Sequence, residues 1–258
     1  MPSLALLDPP LVAGATFVLA AAFGELAGRL GARLEPTIDD RFRSQIGALQ
    51  GAVIGLVGLL LAFSFSIALA RFDTRRDLVT QEANAIGTTW LRTDALAPGA
   101  RAEARALLRD YVATRVEYYE VGEDRGAIEA QIRAGEALQA RIWGIAEGAA
   151  VASPGSLPLS LLVSSLNDAI DLAAGRIVAH DARVPGPILA LQIVLTVVGV
   201  ATVAFGFGLF RGPHRAAMLL LATLMAGILL VILDLDHPRD GWIRVPQEAM
   251  LRLQRSLD

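Results

Sequence analysis

The sequence predicts an all-α integral membrane protein with four transmembrane helices and a helical extramembrane domain inserted between spans two and three. Three observations carry this. The composition is 54% hydrophobic and only 19% charged, with mean hydropathy +0.50, well to the apolar side of a soluble domain. Four stretches are long and apolar enough to cross a hydrocarbon core of about 30 Å, which takes roughly 20 helical residues. Between the second and third lies a polar segment whose apolar residues recur at helical spacing, without a strand-like alternation. The resulting division is 1–70 for spans one and two, 71–184 for the extramembrane domain, 185–235 for spans three and four, and 236–258 for a C-terminal tail.

Span one runs from Leu11 to Leu30. No basic residue precedes it and its apolar part is too long for a signal-peptide core, so it reads as a retained span. Glu25 and Arg29, four residues apart near its end, are placed to pair locally at the interface. Span two, Ile46 to Ala70, passes into an arginine-rich helical pattern with no turn residue between, which predicts one rod from Ile46 to Asp94, on the order of 70 Å long. The polar segment is broken at Pro98-Gly99, Gly122, Ser153-Pro154-Gly155 and Pro185-Gly186-Pro187, giving about four helices. One carries Leu107, Leu108, Tyr111 and Val112 on a single face, and another Ile128, Ile132, Leu138 and Ile142. Spans three and four run from Pro187 to Phe210 and from Ala216 to Leu233. Polar side chains inside the spans are few; Gln50, Gln192, Thr196 and Thr223 stand out, and interhelical hydrogen bonds account for them.

Charge and composition exclude several functions. All 23 basic residues are arginine and cysteine is absent, which removes lysine and thiol nucleophiles, Walker-type phosphate binding, disulfides and zinc-thiolate sites. A net charge of -3 gives no sign of nucleic-acid binding. His180, His214 and His237 stand isolated, and neither GxSxG nor a metal-binding histidine pair occurs, so the chain is read as no enzyme, with no cofactor and no metal. Asp234, Asp236 and Asp240, separated by His237 and Pro238, lack EF-hand spacing and read as a capped helix end. Arginines flanking the spans divide nine against six in favour of a cytoplasmic domain and termini, although span one alone argues the reverse.

Span two carries the functional signal. Gly47, Gly51, Gly55, Gly58, Ala62, Ser66 and Ala70 form a strip of small side chains suited to close helix packing in lipid. Two phenylalanine-bearing rows lie on other faces: Leu59, Phe63 and Ile67, and Leu61, Phe65 and Leu69. Around a symmetry axis such a row makes an apolar constriction. Arg71 and Arg75 follow it and would form a cationic collar, partly neutralised by Asp73, Asp77 and Glu82.

These residues resemble a known family. "GLLLAFSFSIALARFDTRRDLVTQEANAIGTTWLR", "SLNDAIDLAAGRIVAHDARVPGPI" and "LDLDHPRDGWIRV" look like the signature blocks of the bestrophin-like bacterial membrane proteins, in the right order from about residue 46 to 248. The resemblance implies a multi-pass protein of the bacterial inner membrane. It also implies a homo-oligomer, pentameric as in bestrophins proper, that conducts small inorganic ions, mostly anions such as chloride or bicarbonate. Leu59, Phe63 and Ile67 then occupy the place of the pore constriction, with Arg71 and Arg75 at the mouth. The alternative is a non-conducting oligomeric scaffold or sensor of the same fold. Glu82 and Asn84 are expected to pair with Asn167, Asp171 or Arg176, and Gly87 to allow a close helix crossing.

Overall fold

The computed structural model describes residues 8–34, 39–210, 212 and 214–257, without the side chains of residues 40, 42 and 43. Arg211 and the side chain of Arg43, counted in the charge balance above, lie outside the described residues. The described elements are helical throughout: α1 (Pro9–Leu34), α2 (Asp40–Arg92), a 3-10 turn (Thr93–Ala95), α3 (Pro98–Glu120), α4 (Arg125–Ala152), α5 (Leu157–Asp181), α6 (Gly186–Leu209), α7 (His214–Leu235) and α8 (Glu248–Leu257). Helical stretches able to cross a bilayer are Pro9–Leu34, His214–Leu235, and segments within Ser44–Ala95 and Leu157–Leu209, in the order the hydropathy predicts.

The breakers act where local chemistry requires them. No proline occurs between Thr37 and Ala97, so nothing removes a backbone donor along α2, and Pro98 is free to start α3 at a position that needs no donor. Gly122, with φ +65°, turns the chain between α3 and α4, and Asp124 then caps α4 by accepting from the amides of Gly126 and Ala127. Gly155, with φ +82°, makes the corresponding turn before α5.

The chain divides into two compact units, one of residues 1–70 and 183–236 and the other of 71–182 and 237–258. In the first, α1 packs against α6 and α7, and glycines bring the backbones together. A Cβ on Gly31 would lie 2.2 Å from the Phe205 carbonyl oxygen, and one on Gly208 would lie 2.2 Å from that of Gly28. In lipid, where apolar surface gains nothing by leaving the solvent, such close packing is what holds helices together. Gln50 of α2 donates to the carbonyls of Thr202 and Val203 on α6, in space left by Gly206. Gln192 likewise reaches the Leu60 carbonyl, at 3.5 Å. Two threonines depart from expectation: Thr223 donates to Leu219 within its own helix, and the buried Thr196 hydroxyl has no hydrogen-bond partner among the described residues. Glu25 accepts from Arg29 as expected and also from Arg215 of α7.

The second unit has its own apolar core, built by Val79 and Ile86 of α2, Leu108 and Val112 of α3, Ile142 of α4, Leu162 and Leu166 of α5, and Met250 of α8. The helix α8 has no counterpart in the sequence-based reading, which left 236–258 as a tail.

Gly31→Ala and Gly208→Ala should each destabilise the protein by about 1–3 kcal/mol, because the new methyl meets backbone that cannot rotate away. Gly144→Ala, where a Cβ meets open space, should leave stability unchanged or slightly raised. Thermal unfolding in one detergent checks all three.

Candidate functional site

Burial along α2 alternates with the helical period. Val57, Leu61, Ser64 and Ala68 are buried, and the same stripe continues as Arg75, Val79, Glu82, Ile86 and Thr89. The opposite face is open. Leu59, Phe63 and Ile67 are 52%, 59% and 41% exposed, so no part of the described chain covers them. The competing row does not survive as a row, because Leu61 is 4% exposed while Phe65 and Leu69 face outward. Gly47, Gly51, Gly55 and Gly58 have nothing within 4 Å of an added Cβ, so the small-residue strip is also open, and the close packing inside the chain is made by α1 and α6 instead.

The two arginines that follow the row take different positions. Arg75 is buried, and its Nε and Nη2 donate to the carbonyls of Ala179 and Ala182 at the end of α5. Those carbonyls belong to the last turn, where a helix has no donors of its own and attracts cations. Arg71 is half-buried. Helical register explains the outcome: each step of four residues overshoots a turn by about 40°, so Leu59 to Arg75 rotates by about 160°, from the open face into the core. The residues that stay in line with Phe63 are Ala70, Thr74, Asp77, Gln81, Asn84 and Thr88, all but one polar and all exposed.

Glu82 is the centre of a charged cluster inside the second unit. Its Oε1 accepts from Nε of Arg115 at 2.5 Å and its Oε2 from Nη1 of Arg176 at 2.8 Å, and Arg176 also donates to Gln247. Tyr111 donates to the same carboxylate at 3.5 Å. Burial alone would raise the Glu82 pKa, but the two guanidinium groups outweigh it and hold the carboxyl below its ordinary range. Burial and the Glu82 charge both push the Tyr111 hydroxyl up. The expected pairing of Glu82 with Arg176 is present, while Arg115, 33 residues further along the chain, supplies a second partner that spacing could not show. Asn84 is exposed, and Asn167 pairs with Asp171 on its own helix. Gly87 faces Leu253 of α8, where a Cβ would make a 3.4 Å contact.

Asp236 caps the chain entering α6: its Oδ2 accepts from the Val184 amide, and its carbonyl accepts from Arg183. Among the described residues no three histidines or carboxylates converge as a metal site would require.

Four apolar span-length helices, a continuous long second helix and a helical polar unit make this a multi-pass helical membrane protein. The sequence matches the Bestrophin-like domain over residues 16–250, and the chain belongs to that family. A bacterial bestrophin homolog from Klebsiella pneumoniae has the same fold, with TM-score 0.70 at 12% identity over 94% of this chain and 96% of that one. A variant of that homolog gives 0.71 at 13% identity, covering 95% and 97%. A further crystal structure, described as a membrane protein, gives 0.70 at 13% identity over 93% and 97%. No curated protein matches this chain.

Replacing Glu82 by Gln would leave Arg115 and Arg176 buried against a neutral group. Stability should fall by about 3–5 kcal/mol in denaturant unfolding at neutral pH. Because the folded pKa of Glu82 lies below its unfolded value, its contribution is complete above the ordinary carboxylate range and is lost as pH falls through the folded value. The parent protein should therefore weaken steeply below about pH 4, and Glu82→Gln should lack that part of the acid dependence.

Proposed function

We propose that this chain assembles as a homo-oligomeric ion channel in the bacterial inner membrane, a pentamer on the family resemblance, with its polar helical unit in the cytoplasm. The observation that carries the reading is the open row of Leu59, Phe63 and Ile67 beside an open strip of small residues. A large apolar row in lipid needs no cover. A strip of glycines backed by nothing, however, forgoes the packing that stabilises helices in a bilayer, and neighbouring copies of α2 would supply it. Copies arranged around an axis would point the row inward, as a constriction that conducts by wetting and closes by dewetting.

The anion preference implied by the resemblance, for chloride or bicarbonate, would rest on Arg71 at the mouth, because the Arg75 guanidinium is committed to the end of α5. One observation favours the opposite sign. Asp77 lies in line with Phe63 on the exposed face, and in an oligomer it would give a carboxylate ring of the kind that attracts cations.

Liposomes carrying purified protein, given anion and cation gradients in parallel, test both. Flux absent from protein-free vesicles supports the channel, and its reversal potential assigns the sign. Phe63→Ala should change conductance far more than Phe65→Ala, and Asp77→Asn should shift selectivity toward anions. Folded, inserted protein that passes no ion would favour the non-conducting scaffold or sensor.

A further inference from the structure

The second unit holds more buried cation than its carboxylates engage. Around Tyr118, the guanidinium groups of Arg239, Arg115 and Arg176 lie 4.4, 4.7 and 5.8 Å from the ring centre. Arg115 and Arg176 share Glu82, and Arg75 is held by α5 carbonyls. Arg239 differs. It is 3% exposed, and its Nη1 donates to the Gly122 carbonyl, but its Nε and Nη2 are buried with no hydrogen-bond partner among the described residues. A buried charged donor left without an acceptor is costly, and here one side chain carries two of them.

Arg239 lines a small cavity together with Arg75, Arg176, His180, Tyr118 and Gln247. Three arginines face this space and no carboxylate lines it. The nearest acids stand outside. Glu82 is engaged by its two arginines, Glu123 lies 3.9 Å from His180 and acts on Arg239 only from a distance, and Asp181 acts on Tyr118 from a distance. The cavity volume is about 20 Å³. About 10–15 Å³ of such space admits one water-sized particle, so one small ion fits and a tetrahedral oxyanion does not.

We propose that this cavity binds a single monovalent anion of halide size, chloride in the cell, held by Nε and Nη2 of Arg239. The anion supplies the missing acceptor and offsets the desolvation that pulls the Arg239 pKa down. Its position has a structural consequence. Arg239 sits in the segment after α7, which is tied to α3 by the Tyr119 hydroxyl donating to the Pro238 carbonyl and to the α3–α4 turn through Gly122. An anion shared with Arg176 of α5 would fasten that segment to a third element. The proposal is independent of whether the chain conducts ions.

Two measurements on the full chain in detergent test it. Crystals grown in bromide should give an anomalous peak in the cavity, within hydrogen-bonding reach of Arg239. Chloride replacing gluconate at constant ionic strength should raise the unfolding temperature saturably, whereas sulfate should not. Arg239→Gln should raise the half-saturating chloride concentration about tenfold or more, the loss expected of one charge-assisted hydrogen bond. A cavity without bromide signal, holding water alone, overturns the proposal, and so does an Arg239→Gln protein that responds to chloride like the parent. Should that variant fail to fold, the bromide map of the unaltered protein decides by itself.

Discussion

One constraint governs the rest: α2 is a single unbroken helix of 53 residues with one face buried from Val57 to Thr89. A helix admits no independent choice of face from turn to turn. Once Val57 is set against Gly199 of α6, Leu61 and Ala68 are buried below it, and Val79 and Ile86 lie in the core of the second unit, every other side chain on the rod has its direction set. Leu59, Phe63 and Ile67 point outward because the stripe between Val57 and Ala68 points inward. Arg75 enters the core for the same reason. With no proline between Thr37 and Ala97, nothing in the sequence kinks the rod and changes the face it presents from turn to turn.

The Glu82 cluster answers to a different demand. A carboxylate with two arginines is an expensive way to fill a core, and an apolar replacement of equal volume often costs nothing. What the charges add is direction. Glu82 accepts from α3 through Arg115 and from α5 through Arg176, which in turn donates to Gln247 ahead of α8, so one carboxylate fixes four segments at defined angles. Apolar packing of Ile86 and Leu108 alone would tolerate sliding along the helix axis. Charged hydrogen bonds with both oxygens engaged would not.

Much of this was legible in the sequence. The four spans, the continuous rod and the breaks at Pro98, Gly122, Gly155 and Pro185 rest on local chemistry, which a sequence displays directly. The pairing of Glu82 with Arg176 was also within reach, because both residues lie in polar blocks at the ends of long helices. Three features were not. Arg75 was taken for an exposed arginine because its fate depends on where α5 ends, 104 residues away. The packing role assigned to the glycines of α2 belongs within the chain to Gly28, Gly31 and Gly208, and nothing in either pattern says which strip finds a partner. The partnerless donors of Arg239 follow from three-dimensional crowding around Tyr118, which leaves no trace in spacing.

The channel proposal rests on the open face of α2, and the lack of any native cysteine makes that face directly addressable. Single cysteines placed at Phe63 and, as a control, at Leu61 can be oxidised in membranes and resolved on a denaturing gel. A face that lines a symmetry axis brings copies of position 63 together, so Phe63→Cys should yield disulfide-linked dimers while Leu61→Cys, buried within its own chain, stays monomeric. Phe63→Cys that remains monomeric under oxidation, or Leu61→Cys that cross-links equally well, would contradict the assembly.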